Sequence, residues 1–267
     1  GVQTSDRIDA LSMLTVESFA GYAERALNPA NMTIAAVGAL DEALLNLVIE
    51  ASESLENTVE SAEMADEEAE SEEETEEDYT PILVLDRPGD ATGLFLLRRL
   101  PALDPESYYR LDALNLIING QSTYGRLTGA QVALRLPRPI DSNLDLRANE
   151  SSHIITTSVP TTRAAEAFGA IMQELDRLHS GKVLNSRITE QEVADARNFL
   201  TGRLMRQAQT SAQLARFLVW SAAHGFSGNL PGDHIAMIES IDKTGLLEAV
   251  ERYFDPRLNA LIAVVTY

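Results

Sequence analysis

An internal repeat constrains the fold of this chain more than any other feature. Sliding the sequence against itself aligns Asp6–Val37 with Asp233–Val264 at a constant offset of 227, without a gap. Seven of 32 positions are identical: Asp6/Asp233, Ile8/Ile235, Glu24/Glu251, Arg25/Arg252, Pro29/Pro256, Ala36/Ala263 and Val37/Val264. Apolar character persists at Leu11/Ile238, Leu14/Ile241, Phe19/Leu246, Leu27/Phe254 and Ile34/Leu261, and Asn28/Asp255 places a turn residue before each proline. Each copy reads as a short helix, a capped helix beginning near Thr15 or Asp242, an Asn-Pro or Asp-Pro break, and an apolar strand, Met32–Val37 or Ala260–Val265. Any two helix–turn–strand units share this outline, but the unbroken register favours duplication. If each copy closes a unit, residues 1–50 are the C-terminal tail (helix plus strand) of a first domain, 51–80 a linker and 81–267 a second domain.

At 267 residues and 45% apolar content the chain can bury a full core. Its formal charge of −20 is concentrated: Ser52–Asp78 holds 14 acidic residues and no Lys or Arg, and the remainder carries −6. Asp66–Asp78 has ten acids in thirteen positions, a run whose self-repulsion and lack of apolar groups predict a flexible acidic linker. A calcium loop would need spaced Asp, Gly and a final Glu, which this run lacks. No basic stripe exists to displace counterions from phosphates, which excludes nucleic-acid binding. With no cysteine there is neither a disulfide framework nor a thiolate site, a usage compatible with cytoplasm or periplasm. No apolar run approaches the ~18–20 residues of a membrane span. The start, Gly1-Val2-Gln3-Thr4-Ser5-Asp6, lacks the charged and apolar regions of a signal peptide and reads as an internal cut.

Ile82–Leu85 and Gly93–Leu97 read as adjacent strands. Asp104-Pro105-Glu106 starts a helix, with Tyr108, Leu111, Leu114 and Ile118 at helical spacing until Asn119-Gly120. Asn143–Arg147 and His153–Val159 are further strands. Ala164, Phe168, Ile171, Leu175 and Leu178 form one helical stripe; Thr189 and Glu192 make a capping box for a helix toward Arg206, and Ser211–Ala223 is a third helix. Strands early, helices in the middle and a strand last predict an α+β fold, an antiparallel-rich mixed sheet with helices packed on one face.

Catalytic signals are missing. Neither His-Glu-x-x-His nor His-x-x-Glu-His occurs, and no two of His153, His179, His224 and His234 lie three or four residues apart. His179 and His224 close helices and read as caps. There is no Gly-x-Ser-x-Gly elbow, and Gly120–Leu127 lacks phosphate-loop spacing and reads as a helix–helix turn. Phe217 and Trp220 read as core or interface anchors.

Asp104-Pro105-Glu106-Ser107-Tyr108-Tyr109, the helix ending at Asn119-Gly120, Gly125-Arg126-Leu127 and Thr189-Glu190-Gln191-Glu192-Val193 together resemble the second domain of insulinase or pitrilysin-type (M16-like) zinc peptidases and their inactive relatives. The resemblance spans nearly the whole chain except the acidic linker. It implies the LuxS/mitochondrial-processing-peptidase-like metallohydrolase fold, with two homologous domains enclosing a peptide chamber. It implies no catalytic residue, no metal ligand and no cofactor in this chain, the zinc belonging to a front domain or partner. The family's Arg-then-Tyr pair at a spacing of seven is missing, since none of the seven tyrosines follows an arginine by seven. The matching region, Val132–Pro139, leaves Arg135 and Arg138 as weak candidates for contact with a peptide carboxylate, against a reading as solvated surface cations. Expected partners are a zinc-bearing M16-like domain or chain, or a second copy, with peptide substrate; an assembly subunit that has lost proteolysis is the alternative. Relatives of this type are often exported, so a periplasmic or exported location is favoured.

Overall fold

The computed structural model describes residues 13–16, 19–21, 32–53, 82–85, 89–119, 125–147, 150–180, 187–226, 231–255 and 260–266. The acidic linker beyond residue 53, residues 120–124 of the predicted turn and most of the first repeat copy's capped helix lie outside the described residues. The chain divides into two compact units, Gly1–Thr75 and Glu76–Tyr267.

In the first unit, the amide of Phe19 donates to the carbonyl of Thr15, the opening turn expected there. α1 (Glu42–Glu53) is capped by Asp41, whose carboxylate accepts from the Leu44 amide at 2.7 Å. Its apolar side chains are bare: Leu44, Leu45, Leu47 and Ile49 are all exposed. Residues 32–37, predicted as a strand, have no regular structure. A strand exists only by pairing, and among the described residues no strand pairs with this segment.

The second unit is built on five strands: β1 (Ile82–Leu85), β2 (Ala91–Pro101), β3 (Asp141–Asp145), β4 (Glu150–Pro160) and β5 (Ala260–Thr266). Their order is β1-β5-β2-β4-β3, parallel only between β1 and β5. β1 and β2 are therefore not adjacent, contrary to expectation; the chain's last strand inserts between them. β2 and β4 pair over their full lengths, from Ala91 opposite Pro160 to Pro101 opposite Glu150.

The helices are α2 (Pro105–Ile118), α3 (Arg126–Ala133), α4 (Ala164–Ser180), α5 (Glu190–Gln207), α6 (Ser211–Ala223), α7 (Gly232–Glu239) and α8 (Lys243–Tyr253). Their boundaries follow local chemistry. Asp104 accepts from the Ser107 amide at 2.9 Å with Pro105 in the first turn, and Asp242 accepts from the Gly245 amide at 2.8 Å. Thr189 and Glu192 form the reciprocal capping box. Period-two alternation puts Leu94, Leu96, Leu100, Ile155 and Val159 on the sheet face that the helices cover. The core is completed from the helices by Leu111, Leu114, Ile171, Leu175, Leu200, Ile238 and Leu246. The fold is the expected α+β layer, helices on one face. No helix among the described residues is long and apolar enough to cross a membrane.

Candidate functional site

Among the described residues, no helix buries the opposite face of the sheet as the first is buried. Phe95 is 43% exposed there, beside half-buried Leu97, Ile154, Thr156 and Ser158. Strand register sets these in rows, Phe95 opposite Thr156 and Leu97 opposite Ile154, with Asp141 and Asn143 of β3 continuing them. Among the described residues β3 pairs only with β4, at the edge of the sheet, the position to which a strand can add.

A buried polar cluster pins that edge to α2. The Ser142 hydroxyl donates to the Asn115 side-chain oxygen at 2.7 Å, so His153 donates from Nε2 to Ser142 Oγ at 2.8 Å. Asn119 adds a bond from its amide to the Ser142 carbonyl at 3.1 Å. Burial, with the Arg98 guanidinium beside it, pushes His153 down to about 3, and the ring is neutral. Arg98, opposite His153 in the register, is itself buried; desolvation takes it to about 10 despite nearby Asp255. It donates to the Asp255 carbonyl at 3.2 Å and lies 5.0 Å from the Phe254 ring centroid.

Arg135 and Arg138 sit on the corner between α3 and β3, both exposed, and their side chains pair with no described residue. Arg135 occupies the left-handed region at φ 47°. It closes α3 in a Schellman turn: its amide donates to the Val132 carbonyl and that of buried Leu136 to the Gln131 carbonyl.

The two motif segments that carry the family resemblance meet in space. The Arg126 guanidinium grips the Glu192 carboxylate through Nε at 2.8 Å and Nη2 at 3.0 Å, while Glu192 also serves the capping box. Burial raises the Glu192 pKa, but Arg126 and Thr189 outweigh it and hold the carboxyl below its usual range. Gly125 is required here, because a Cβ would fall 1.4 Å from the Asn119 carbonyl oxygen.

The histidines are structural. His224 bonds through Nδ1 to the Trp220 carbonyl at 2.8 Å, the predicted cap. His179 ends α4, 4.0 Å from an Asp255 carboxylate oxygen. His234 is buried between the Tyr109 hydroxyl at 2.5 Å and the Ser221 hydroxyl at 3.2 Å, and desolvation lowers its pKa against the pull of Asp233. No group of three potential ligands converges among the described residues. The face can bind an extended chain through backbone and apolar contacts.

Sequence reasoning did not pair Asp112 with Arg203, a buried carboxylate joined to a half-buried guanidinium. Nor did it find the Asn115–Ser142–His153 cluster. Their partners lie from 11 to 91 residues apart, beyond any local signal.

The family model of the peptidase M16 inactive domain matches residues 13–200. Among solved structures, a protease from Helicobacter pylori is similar over 97% of this chain at 18% identity, with a TM-score of 0.78. A peptidase M16 inactive domain from Pseudomonas fluorescens matches 70% at 15% identity with a TM-score of 0.59, and the periplasmic protease PqqL from Escherichia coli 71% at 16% identity with 0.53. The chain spans 60%, 44% and 21% of those three proteins' lengths. No curated protein matches the sequence.

Proposed function

Because the chain belongs to the peptidase M16 inactive-domain family, we propose that it is a non-catalytic unit that completes a peptide-binding chamber with a zinc-bearing partner domain or chain. One observation carries this reading: the first repeat copy and α1 present Leu14, Phe19, Leu44, Leu45 and Leu47 to solvent, all of them more than 40% exposed. Large apolar side chains gathered on the surface of one unit are the mark of an interface. Residues 1–50 are thus the tail of one domain, residues 51–80 the linker and residues 81–267 a second domain whose bare sheet face and β3 edge line the chamber. Zinc and the attacking water belong to the partner; this chain contributes shape and backbone edges. In this reading Arg135 or Arg138, at the corner of that edge, meets the carboxylate of a bound peptide; the alternative is that both are solvated surface cations.

The test mixes the chain with the zinc-bearing portion of a two-domain parent. A stable complex by sedimentation, with casein cleavage and one zinc per complex only in the mixture, is expected. Failure to associate at micromolar concentration overturns the reading. Tight association without cleavage supports the second reading, an assembly subunit that has lost proteolysis, which the missing Arg-Tyr spacing favours.

A further inference from the structure

Between α2, α5, α6 and α7, in the helical layer, lies a cleft of about 520 Å³, within the range of small-molecule sites. One wall is aromatic: Phe217 stacks on Trp220 at 5.9 Å and 14°, and Tyr108 packs against Trp220 at 5.5 Å. The same lining holds three cations, Arg203 and Arg206 from α5 and Arg216 from α6. Asp112 neutralises Arg203, with Nη1 at 3.3 Å from its carboxylate. Arg206 and Arg216 are exposed, and neither makes an ion pair with a described residue. Gln213, also at the rim, has its side-chain oxygen engaged by the Thr210 hydroxyl at 3.0 Å, which leaves its NH2 to donate. In a chain of net charge −20, two spare guanidiniums beside a flat apolar wall form a local inversion of sign.

We propose that this cleft binds a small carboxylate with an aromatic or apolar body, the carboxylate held by Arg206 and Arg216 and the body laid against Trp220 and Phe217. Guanidinium forks suit the two oxygens of a carboxylate, and the indole face suits a planar group. The ligand is a free acid or the C-terminal residue of a peptide, which present the same chemistry. This assignment is independent of the proposed function, because the cleft is lined by helices alone and involves neither the sheet face nor the first unit.

Trp220 is the only tryptophan, so its emission reports on this cleft, and calorimetry supplies a second readout. Titration of the 267-residue chain with N-acetyl-phenylalanine is expected to saturate by both. The corresponding amide, which lacks the charge, binds at least tenfold more weakly, and inorganic phosphate, which lacks the ring, competes only weakly. In the Arg206→Ala/Arg216→Ala double variant the preference for the acid over the amide disappears. A short peptide ending in free phenylalanine that binds more tightly than the acetylated amino acid assigns the site to peptide C-termini; equal or weaker binding assigns it to free acids. Absence of signal by both methods up to millimolar acid overturns the proposal, as does equal affinity for acid and amide. Undiminished binding in a double variant with unchanged circular dichroism does the same.

Discussion

The two copies of the repeat carry one pattern and meet opposite fates. Ile241 and Leu246 in the second copy are 2% and 0% exposed, whereas their counterparts Leu14 and Phe19 in the first are 60% and 67% exposed. Ala260–Thr266 forms β5, paired on both sides, while the equivalent residues 33–39 form no strand. The pattern prescribes which faces need burial; it does not supply what buries them. In the second unit β1, β2 and the α2–α7 layer are present to receive helix and strand, and the hydrophobic gain of ~25 cal/mol per Å² follows.

The comparison breaks most sharply under matched truncation. Leu246→Ala is expected to lower stability by about 3 kcal/mol, because it removes core atoms and leaves a cavity. Phe19→Ala should change it by less than about 0.5 kcal/mol. Urea unfolding checks both, followed through Trp220 for the second unit and through far-UV circular dichroism for the first. If Phe19→Ala also destabilises the isolated chain strongly, the two copies are equally packed and the contrast fails. With the proposed zinc-bearing partner present, the same substitution should weaken association.

A second contrast lies in what locks each unit. Nothing among the described residues of the first unit corresponds to the Arg126–Glu192 clasp, whose side chains are 11% and 21% exposed. Arg126→Ala leaves Glu192 half-buried and stripped of its guanidinium, and is expected to cost about 2 kcal/mol of second-unit stability by thermal melting. An unchanged melting temperature would reduce the clasp to a solvated surface pair.

Local signals were legible in the sequence and non-local ones were not. Asp104-Pro105, Thr189 with Glu192, Asp242 and the Pro256 break announce themselves within four residues, because caps and breaks are local hydrogen-bond chemistry. β5's insertion between β1 and β2 joins segments 180 residues apart, Leu83 pairing with Ala263, and no spacing rule encodes that. The same holds for the clasp: Arg126 and Glu192 were each singled out by motif, but that they touch is a property of the topology. Of the candidate site, Arg135 and Arg138 were named, while the edge they flank and the His153 cluster behind it depend on strand order.

Acid should separate the units as well. His153 titrates near 3 in the folded chain and near 6.5 when unfolded, so between those values the unfolded state binds the extra proton. Stability conferred by the neutral ring is present above pH 6.5 and lost as pH falls toward 3, with a slope approaching about 1.4 kcal/mol per pH unit. Glu192, held below its usual range, adds a loss of the same sign at lower pH. Trp220 lies in the second unit and reports this transition alone. His153→Gln should flatten the profile between pH 6 and 4; an equally steep profile would mean other groups carry the acid sensitivity.

The smallest expected effect bears most directly on the candidate site. Left-handed backbone at a non-glycine residue costs about 1–2 kcal/mol, and the position after a helix C-cap is where glycine is preferred. Arg135→Gly should therefore raise stability by about 1 kcal/mol, or a few degrees in melting temperature. The turn's hydrogen bonds, Arg135 to Val132 and Leu136 to Gln131, are backbone to backbone and survive the change. Peptide affinity of the assembled complex, measured alongside, tells what the arginine is for. Gained stability with lost affinity means that backbone strain is retained because the guanidinium meets the peptide. Gained stability with affinity intact leaves recognition to the β3 edge and the bare sheet face, and Arg135 is then a solvated cation on a strained turn.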